Sequence, residues 1–464
     1  MSPSTAPTPT ARALVGSMLD LRRDPLGTYL RSFQECGDVV RFLVGPPGLR
    51  LELHGVFSPD GVREVLSDPA RFRKDNRFYI EVRESFGNGL LTSQDDDYVR
   101  QRRLIQPLFT RRRVDRYASA MCHEVSVAVE DWRSATDQVV DVIEESTKLT
   151  LRVVARILFG ADVDDAIETV RRSFPVIGEY TRSRGFSPIY IPRQWPTPSN
   201  RRAAAALSEL YGVCDRIISG RRGAGPDRAR PDRAGVDAGV NPDADDLLSL
   251  LAHATDEDGD SLASSEIRDQ VLIFLLAGHE TTATSLGFAL HLLGSHPGQQ
   301  ARAREEVDRV LGGRVPGAAD LDALPYTTQV LKEAMRLYPA APATGRLAIT
   351  DTEIGGFPIP AGGHVVVSPW VTHRHPAYWD EPDRFDPDRF TPEAEAARPR
   401  YAWFPFGGGP RACIGQHFSM LESVLALALV LQAYELTAID TEVPVNAGIT
   451  LQATGPVRCR LTPR

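Results

Sequence analysis

The chain has 464 residues, of which 42% are apolar and 25% charged, and its formal net charge is −8. This composition is typical of a soluble globular protein, and the acidic balance argues against nucleic acid as a bulk partner. The five cysteines are widely spaced and form no CxxC pair, which excludes a disulfide framework and favours a reducing, cytoplasmic location. No window reaches the roughly 20 apolar residues of a membrane-spanning helix, so we expect no membrane anchor.

The first elements follow from turn and capping residues. Residues 1–20 begin with a Pro/Ser/Thr-rich stretch and predict a flexible tail, whereas 21–464 predict one large domain. Asp24-Pro25 favours a helix start and Gly37 its end, and two strands are predicted over 39–44 and 49–57.

A helix is predicted from Ser58, which can cap it, to Leu66. Residues 69–96 predict an irregular segment rich in aromatic side chains. Long aromatic loops often bind ligands, although filling the core is an equally good reading of these residues.

Basic residues then cluster on and after a helix predicted over 97–109. They are Arg100, Arg102 and Arg103 on the helix, and 111–113 beyond it. A solvated basic face is the default interpretation of such a run. Residues 113–220 have a helical period, and 220–246 predict a flexible surface loop because large apolar residues are almost absent.

The longest helix is predicted over 264–296, and it is apolar nearly all round at 271–277, which indicates burial. In its middle lies Ala277-Gly-His-Glu280-Thr281-Thr. A glycine weakens a helix, and the Thr281 hydroxyl can bond back to the Ala277 carbonyl. On the residues alone, this stretch is either a functional groove or a packing notch with a satisfied polar pair.

A further helix, over 325–338, carries Glu333 and Arg336, whose spacing of three places them on one face as an ion pair. Short strands are predicted over 346–367 and again over 441–464. Such ion pairs are common, so this one is weak evidence by itself.

Near the C-terminus, a glycine-rich loop over 406–415 carries Cys413 just ahead of a predicted helix. Free backbone N–H groups and the helix dipole favour a thiolate there. A single thiolate in a tight amide-lined loop suits a haem iron. The alternative is a buried structural cysteine in a turn.

The loop resembles the haem-binding loop of the cytochrome P-450 family. The matching residues, in the pattern Phe-x-x-Gly-x-Arg-x-Cys-x-Gly, are Phe406, Gly409, Arg411, Cys413 and Gly415. The stretch from Ala277 to Thr282 is similar to the family's oxygen groove. The resemblance implies a mostly α fold with a smaller β-rich region in a single large domain.

The resemblance also implies roles for individual residues. Cys413 would bind the iron of haem b, and the partners of the haem propionates would be Tyr98, Arg102, Arg346 and Arg411. Glu280 and Thr281 would serve catalysis, and a structural lock would join Glu333, Arg336 and Arg389. The substrate pocket would be walled by Phe78, Tyr79, Val82, Phe86, Phe274, Ala277, Ala341, Thr344, Thr450 and Leu451.

The function implied is a haem-thiolate monooxygenase that inserts one oxygen atom of O2 into a lipophilic small molecule, such as a terpenoid or a fatty acyl chain. A ferredoxin and its reductase would supply the electrons to a monomeric enzyme. Two alternatives remain: a peroxide-driven peroxygenase, which would not need the Glu280–Thr281 pair, and a gas sensor, which would need an output domain.

Overall fold

The computed structural model describes residues 5–12, 14–159, 164–187, 191–222, 247–254 and 259–464. Helices dominate this part of the chain, and the strands form a smaller β-rich region. The predicted fold class is therefore confirmed. Most of the predicted loop over 220–246 lies outside the described residues.

The helices are named in chain order. They are α1 (Met18–Arg23), α2 (Pro25–Cys36), α3 (Pro59–Ser67), α4 (Arg77–Phe86), α5 (Asp95–Ile105), α6 (Arg111–Val114), α7 (Ala118–Asp131), α8 (Val142–Val153), α9 (Asp164–Gly185), α10 (Pro198–Arg222), α11 (Leu247–His253), α12 (Ser264–Ser295), α13 (Pro297–Leu311), α14 (Pro325–Leu337), α15 (Pro369–Thr372), α16 (Pro392–Ala396) and α17 (Gln416–Ala433).

The strands are also numbered along the chain. They are β1 (Val39–Val44), β2 (Leu51–Val56), β3 (Phe72–Arg73), β4 (Val139–Asp141), β5 (Thr344–Ala348), β6 (Thr352–Ile354), β7 (Phe357–Ile359), β8 (His364–Val367), β9 (Tyr434–Ala438), β10 (Val445–Ala447), β11 (Leu451–Ala453) and β12 (Arg458–Pro463).

Five strands form the main sheet in the order β1-β2-β8-β5-β3. Strands β2 and β8 are parallel, whereas the other neighbours in this sheet are antiparallel. A second sheet has the order β4-β12-β9, and the pairs β6-β7 and β10-β11 are hairpins. The β10-β11 hairpin places Asn446 opposite Gln452.

Helix α12 is the central element of the helical region. Its residues from Val271 to Leu276 are all buried, as the all-round apolar pattern predicts. It packs against α8, α10, α14 and α17. Helices α12 and α17 are apolar enough to cross a membrane, but 78% and 72% of their most apolar windows are buried inside the fold. Both therefore serve as core helices here.

Capping residues explain several helix boundaries. The Asp24 side chain accepts a hydrogen bond from the Gly27 N–H at 2.8 Å, and Gly37 ends α2 with a φ of 88°. The helix predicted from this stretch is confirmed. Because Pro25 lacks an N–H, it fits the first turn without leaving a donor unpaired.

The segment predicted to be irregular over 69–96 contains helix α4 instead. Asn76 caps this helix by accepting from the Tyr79 N–H at 3.0 Å, and Gly87 ends it with a φ of 82°. The spacing of Tyr79, Val82 and Phe86 gives one buried face with a helical period. The prediction was wrong because the Asn76 cap and the helical period of the buried residues determine the local structure, not the high aromatic content.

The described part of the predicted N-terminal tail makes contacts with the main sheet. Ala6 is buried, and the Pro7 carbonyl accepts a hydrogen bond from the Arg41 N–H at 2.8 Å. Gly16 forms a β-bridge with Val44.

A buried ion pair joins α14 to the segment that precedes the cysteine loop. Glu333 accepts from Arg336 Nε at 2.6 Å and from the Asp386 N–H at 2.9 Å. Arg336 also donates to the carbonyls of His373 and Arg384. Arg389 lies 3.5 Å from Glu333, so the structure brings the three predicted lock residues together.

The buried pair should be far more important to stability than an exposed pair of the same spacing. Glu333→Ala leaves the fully buried Arg336 without its carboxylate, so we expect a loss of about 3–5 kcal/mol in the free energy of unfolding. Glu130→Ala removes an exposed partner of Arg133 and should cost less than about 1 kcal/mol. Urea unfolding of both variants measures the difference, and equal losses would contradict the lock.

Candidate active site

The cysteine loop has a shape that requires glycine. Gly409 has a φ of +64°, and a Cβ added there would lie 2.1 Å from the Leu66 carbonyl oxygen. Any side chain at this position would therefore clash with the backbone after α3. The Cys413 N–H donates to the Phe406 carbonyl at 2.9 Å, which closes the loop just before α17 begins at Gln416.

The Cys413 side chain opens into space enclosed by the protein. It is accessible to solvent, yet surrounding protein raises the pKa of the thiol through burial. A backbone hydrogen bond from Gly415 and the charges of Arg102 and Lys74 act in the opposite direction, with smaller effect. The Gly415 N–H just before the helix acts in the predicted direction, but burial outweighs it.

Two residues of α5 hold the loop through its carbonyl groups. The Tyr98 hydroxyl donates to the Pro410 carbonyl at 2.7 Å, and Arg102 Nη1 donates to the Ala412 carbonyl at 3.0 Å. The Arg411 guanidinium stacks on the Tyr98 ring, 3.5 Å from its centroid. Tyr98 and Arg102 therefore support the backbone on either side of Arg411, a role that the sequence did not indicate.

Lys74, Arg346 and Arg411 form a cluster of cations, in which Lys74 lies close to Cys413. Burial lowers the pKa of Lys74 well below its usual value, and repulsion from Arg346 and Arg411 lowers it further. Burial also lowers the pKa of Arg346, and that of Arg411 to about 10. Arg411 Nη1 is buried and has no hydrogen-bond partner in the described part of the chain.

Such a cluster is unfavourable unless an anion offsets it, because buried like charges repel and are poorly solvated. The cluster therefore fits an anionic group beside the thiol. Sequence reasoning missed Lys74, although lysine is rare in this chain: Lys74, Lys148 and Lys332 are its only three.

The middle of α12 is less buried than the turn before it. Ala277 is exposed and Glu280 and Thr281 are half-buried, whereas the turn before them is buried. The Thr281 hydroxyl donates to the Ala277 carbonyl at 2.7 Å, as predicted. A Cβ at Gly278 would lie 3.0 Å from the Val154 side chain, so this glycine also allows close packing.

A side-chain hydrogen bond ties this stretch to the start of α17. Thr282 Oγ1 donates to Ser419 Oγ at 3.1 Å, six residues after Cys413. On another face, His279 is buried and bonds the Leu275 carbonyl through Nδ1, and burial lowers its pKa. His279 therefore makes a structural contact within α12.

The predicted pocket residues divide into two groups. Those with exposed or half-buried side chains are Phe78, Ala341 and Thr344, and those that are buried are Tyr79, Val82, Phe86, Phe274, Thr450 and Leu451. The Tyr79 hydroxyl lies 2.8 Å from Thr344 Oγ1, and Phe86 stacks on Phe174 of α9 with ring centroids 6.0 Å apart.

Leu451 does not belong to the pocket wall. Its side chain packs with Leu26 and Phe288 in a small separate core cluster. Its backbone is fixed on both sides, since the N–H donates to the Ala340 carbonyl at 2.8 Å and the carbonyl accepts from Thr284 at 3.5 Å. The prediction for this residue was wrong because the strand turns its side chain into the core.

These residues fit the haem that the sequence suggests. The enclosed thiol of Cys413 would serve as an axial ligand, and the buried cations would offset two propionate carboxylates. The exposed side of α12 at Ala277 has a small side chain, which leaves room beside the ring.

Comparisons with known proteins agree with this geometry. The family model described as "Cytochrome P450" matches residues 6–456. "Cyclooctatin synthase" of Streptomyces melanosporofaciens is 37% identical over 98% of this chain and 95% of its own. "Pentalenene oxygenase" of Streptomyces avermitilis is 35% identical, covering 98% of this chain and 97% of the relative.

Another Streptomyces melanosporofaciens relative, "Cyclooctat-9-en-7-ol 5-monooxygenase", is 35% identical over 93% of this chain and 90% of its own. Among solved structures, the crystal structure of the cytochrome P450DA heme domain superposes with a TM-score of 0.85 and 30% identity, over 99% of this chain and 98% of that one. The chain therefore belongs to the cytochrome P450 family, whose members are haem-dependent monooxygenases that need O2, a redox partner and a lipophilic substrate.

Proposed function

We propose that Cys413 is the axial ligand of haem b and that Lys74, Arg346 and Arg411 hold its propionates. The observation that carries this proposal is the cluster of the buried Arg346 with the half-buried Lys74 and Arg411, in which Lys74 lies beside the Cys413 thiol. Charge-assisted hydrogen bonds to carboxylates would offset the desolvation of each cation. Tyr98 and Arg102 would act indirectly, by holding the carbonyl groups of the loop.

When bound by a thiolate, haem supplies the activation of O2 and the transfer of one oxygen atom to the substrate. Two residues of α12, Glu280 and Thr281, would transfer protons to the site beside the haem. Glu280 is half-buried and borders a small cavity, so it can exchange protons with water. The Thr281 hydroxyl would serve as a proton donor at the exposed part of the helix, where it is held by its hydrogen bond to the Ala277 carbonyl.

The substrate that this site supports best is a cyclic terpenoid. The relatives named cyclooctatin synthase and pentalenene oxygenase are similar over nearly the whole chain. The partly exposed wall residues Phe78, Ala341 and Thr344 carry no charge, which suits a hydrocarbon skeleton better than an ionised fatty acid. Titrating cyclic sesquiterpenes, cyclic diterpenes and fatty acids against the haem absorption band tests this, and binding confined to fatty acids would contradict it.

A ferredoxin and its reductase are the proposed source of electrons, in the cytoplasm. The five cysteines are free thiols, which suits a reducing compartment. The proposed docking surface for the redox partner consists of some of Arg100, Arg103 and 111–113. Glu266 pairs with Arg100 and Asp322 pairs with Arg111 at 2.9 Å, so the exposed Arg112 is the best candidate for docking.

Docking by charge should be sensitive to salt. Electron transfer from an acidic ferredoxin should slow as ionic strength rises, because exposed charges are screened. Arg112→Glu should slow it further at low salt, whereas Arg201→Glu on the exposed side of α10 should not. A rate that does not depend on salt or on Arg112, measured by stopped flow, would exclude this surface.

Loss of the proposed ligand should abolish thiolate ligation. In Cys413→Ala, the red-shifted absorption band of the reduced, carbon monoxide-bound protein should disappear. Cys36→Ala, which changes a half-buried thiol on α2, should keep it. Retention of the band without Cys413 would show that another residue binds the iron.

Thr281 should control coupling rather than haem binding. Thr281→Ala preserves a good helix former but removes the hydroxyl, so more of the consumed O2 should leave as hydrogen peroxide and less as product. Ser295→Ala is the control, since this hydroxyl bonds back to His291 at the end of the same helix. The ratios of product and peroxide to NAD(P)H measure the effect, and equal ratios in Thr281→Ala and wild type would reduce the groove to a packing notch.

A further inference from the structure

A hydrogen bond connects the β10-β11 hairpin to the acid of α12. Gln452 Nε2 donates to Glu280 Oε1 at 3.1 Å. No local sequence pattern indicates this contact, because 172 residues separate the two positions. An amide donor fixes the direction in which the carboxylate points.

Both side chains border one small cavity of about 40 Å³. A water molecule needs about 10–15 Å³ of such volume and two or more polar partners, so two or three waters fit. The polar lining residues are Glu179, Arg182, Glu280 and Gln452. Glu179 and Arg182 of α9 form an ion pair at 2.8 Å, and the Glu179 side chain is 63% exposed. The cavity therefore reaches from Glu280 towards the protein surface.

The hairpin is fixed independently of the Gln452 side chain. The backbone bonds of Leu451 to Ala340 and Thr284 hold strand β11 against α12. The Gln452 side chain itself is exposed, so its hydrogen bond adds little to the stability of the fold. The contact therefore serves to orient the Glu280 carboxylate rather than to stabilise the fold.

We infer that Gln452 is a positioning residue for the reaction, whose side-chain amide holds the Glu280 carboxylate beside a small cavity through which protons arrive. This inference rests on the proposed function, in which Glu280 is the proton relay. Glu280 accepts one proton from water in the cavity and releases one towards Thr281, so the carboxylate ends each transfer as it began. Without the amide, the carboxylate would rotate away from the cavity and protons would arrive more slowly.

Four variants separate positioning from structure. Gln452→Leu removes the donor, and Asn446→Leu is the matched control, because this exposed amide lies directly opposite on β10. Glu280→Gln and the double variant Glu280→Gln/Gln452→Leu complete a thermodynamic cycle. Product formation by the holoenzyme is measured in H2O and in D2O, together with the temperature of unfolding.

Gln452→Leu should form product about tenfold more slowly, the effect of losing one hydrogen bond to a charged group, and should show a larger solvent isotope effect. Asn446→Leu should match wild type, and neither should lower the unfolding temperature. In the Glu280→Gln background, Gln452→Leu should cause no further loss. If Gln452→Leu matches Asn446→Leu, or acts equally in both backgrounds, the inference is overturned while the role of Glu280 stands.

If Glu280→Gln itself forms product at the wild-type rate and isotope effect, both the relay and the inference fail. A measurement without turnover tests the contact directly. In the reduced, carbon monoxide-bound holoenzyme labelled with 15N-glutamine, the side-chain amide signal of Gln452, assigned by its loss in Gln452→Leu, should shift in Glu280→Ala. An unchanged signal would show that the hydrogen bond does not form in solution and would overturn the inference.

Discussion

The structure depends on keeping several charges inside the fold and compensating each one. Glu333 and Arg336 compensate each other, and their remaining hydrogen bonds fix the segment that leads to the cysteine loop. Beside Cys413 the situation is different, because Lys74, Arg346 and Arg411 repel one another. The buried charge pair therefore organises the polypeptide, whereas the cation cluster suits the binding of an anionic group, as proposed for the haem propionates.

The two halves of the active site are held by different kinds of contact. Hydrogen bonds from Tyr98 and Arg102 to loop carbonyls fix the position of the thiol. On the other side, α12 is rigid through burial but opens for about one turn at Ala277. Gly278 allows close packing there against Val154, so one short stretch combines a packing requirement with a polar surface. The packing contact of Gly278 is therefore compatible with the roles proposed for Glu280 and Thr281, because different residues are involved.

Local signals explain how much of the fold was predictable. Caps, glycines and the apolar period placed α2, β1, α12 and α14 close to their observed ends, since these signals act within a few residues. The five-residue loop motif led to Cys413 for the same reason. What remained hidden depends on contacts between distant segments: Lys74 approaches the thiol from the segment between β3 and α4, and Gln452 contacts Glu280 from a hairpin. Whether Leu451 lines the pocket or packs in the core depends on which face of the three-residue strand β11 meets the core, and the sequence does not determine this.

The central claim is that this chain inserts one atom of O2 into a cyclic terpenoid. The most direct measurement supplies the holoenzyme, ferredoxin, reductase and NADPH with a bound terpene under 18O2, and determines the mass of the product. The account predicts one 18O atom in each hydroxyl group formed under 18O2. In the converse experiment, with unlabelled O2 in H2 18O, it predicts no label in the product. Product that carries oxygen from water, or that forms only when hydrogen peroxide replaces O2 and the reductant, would contradict it.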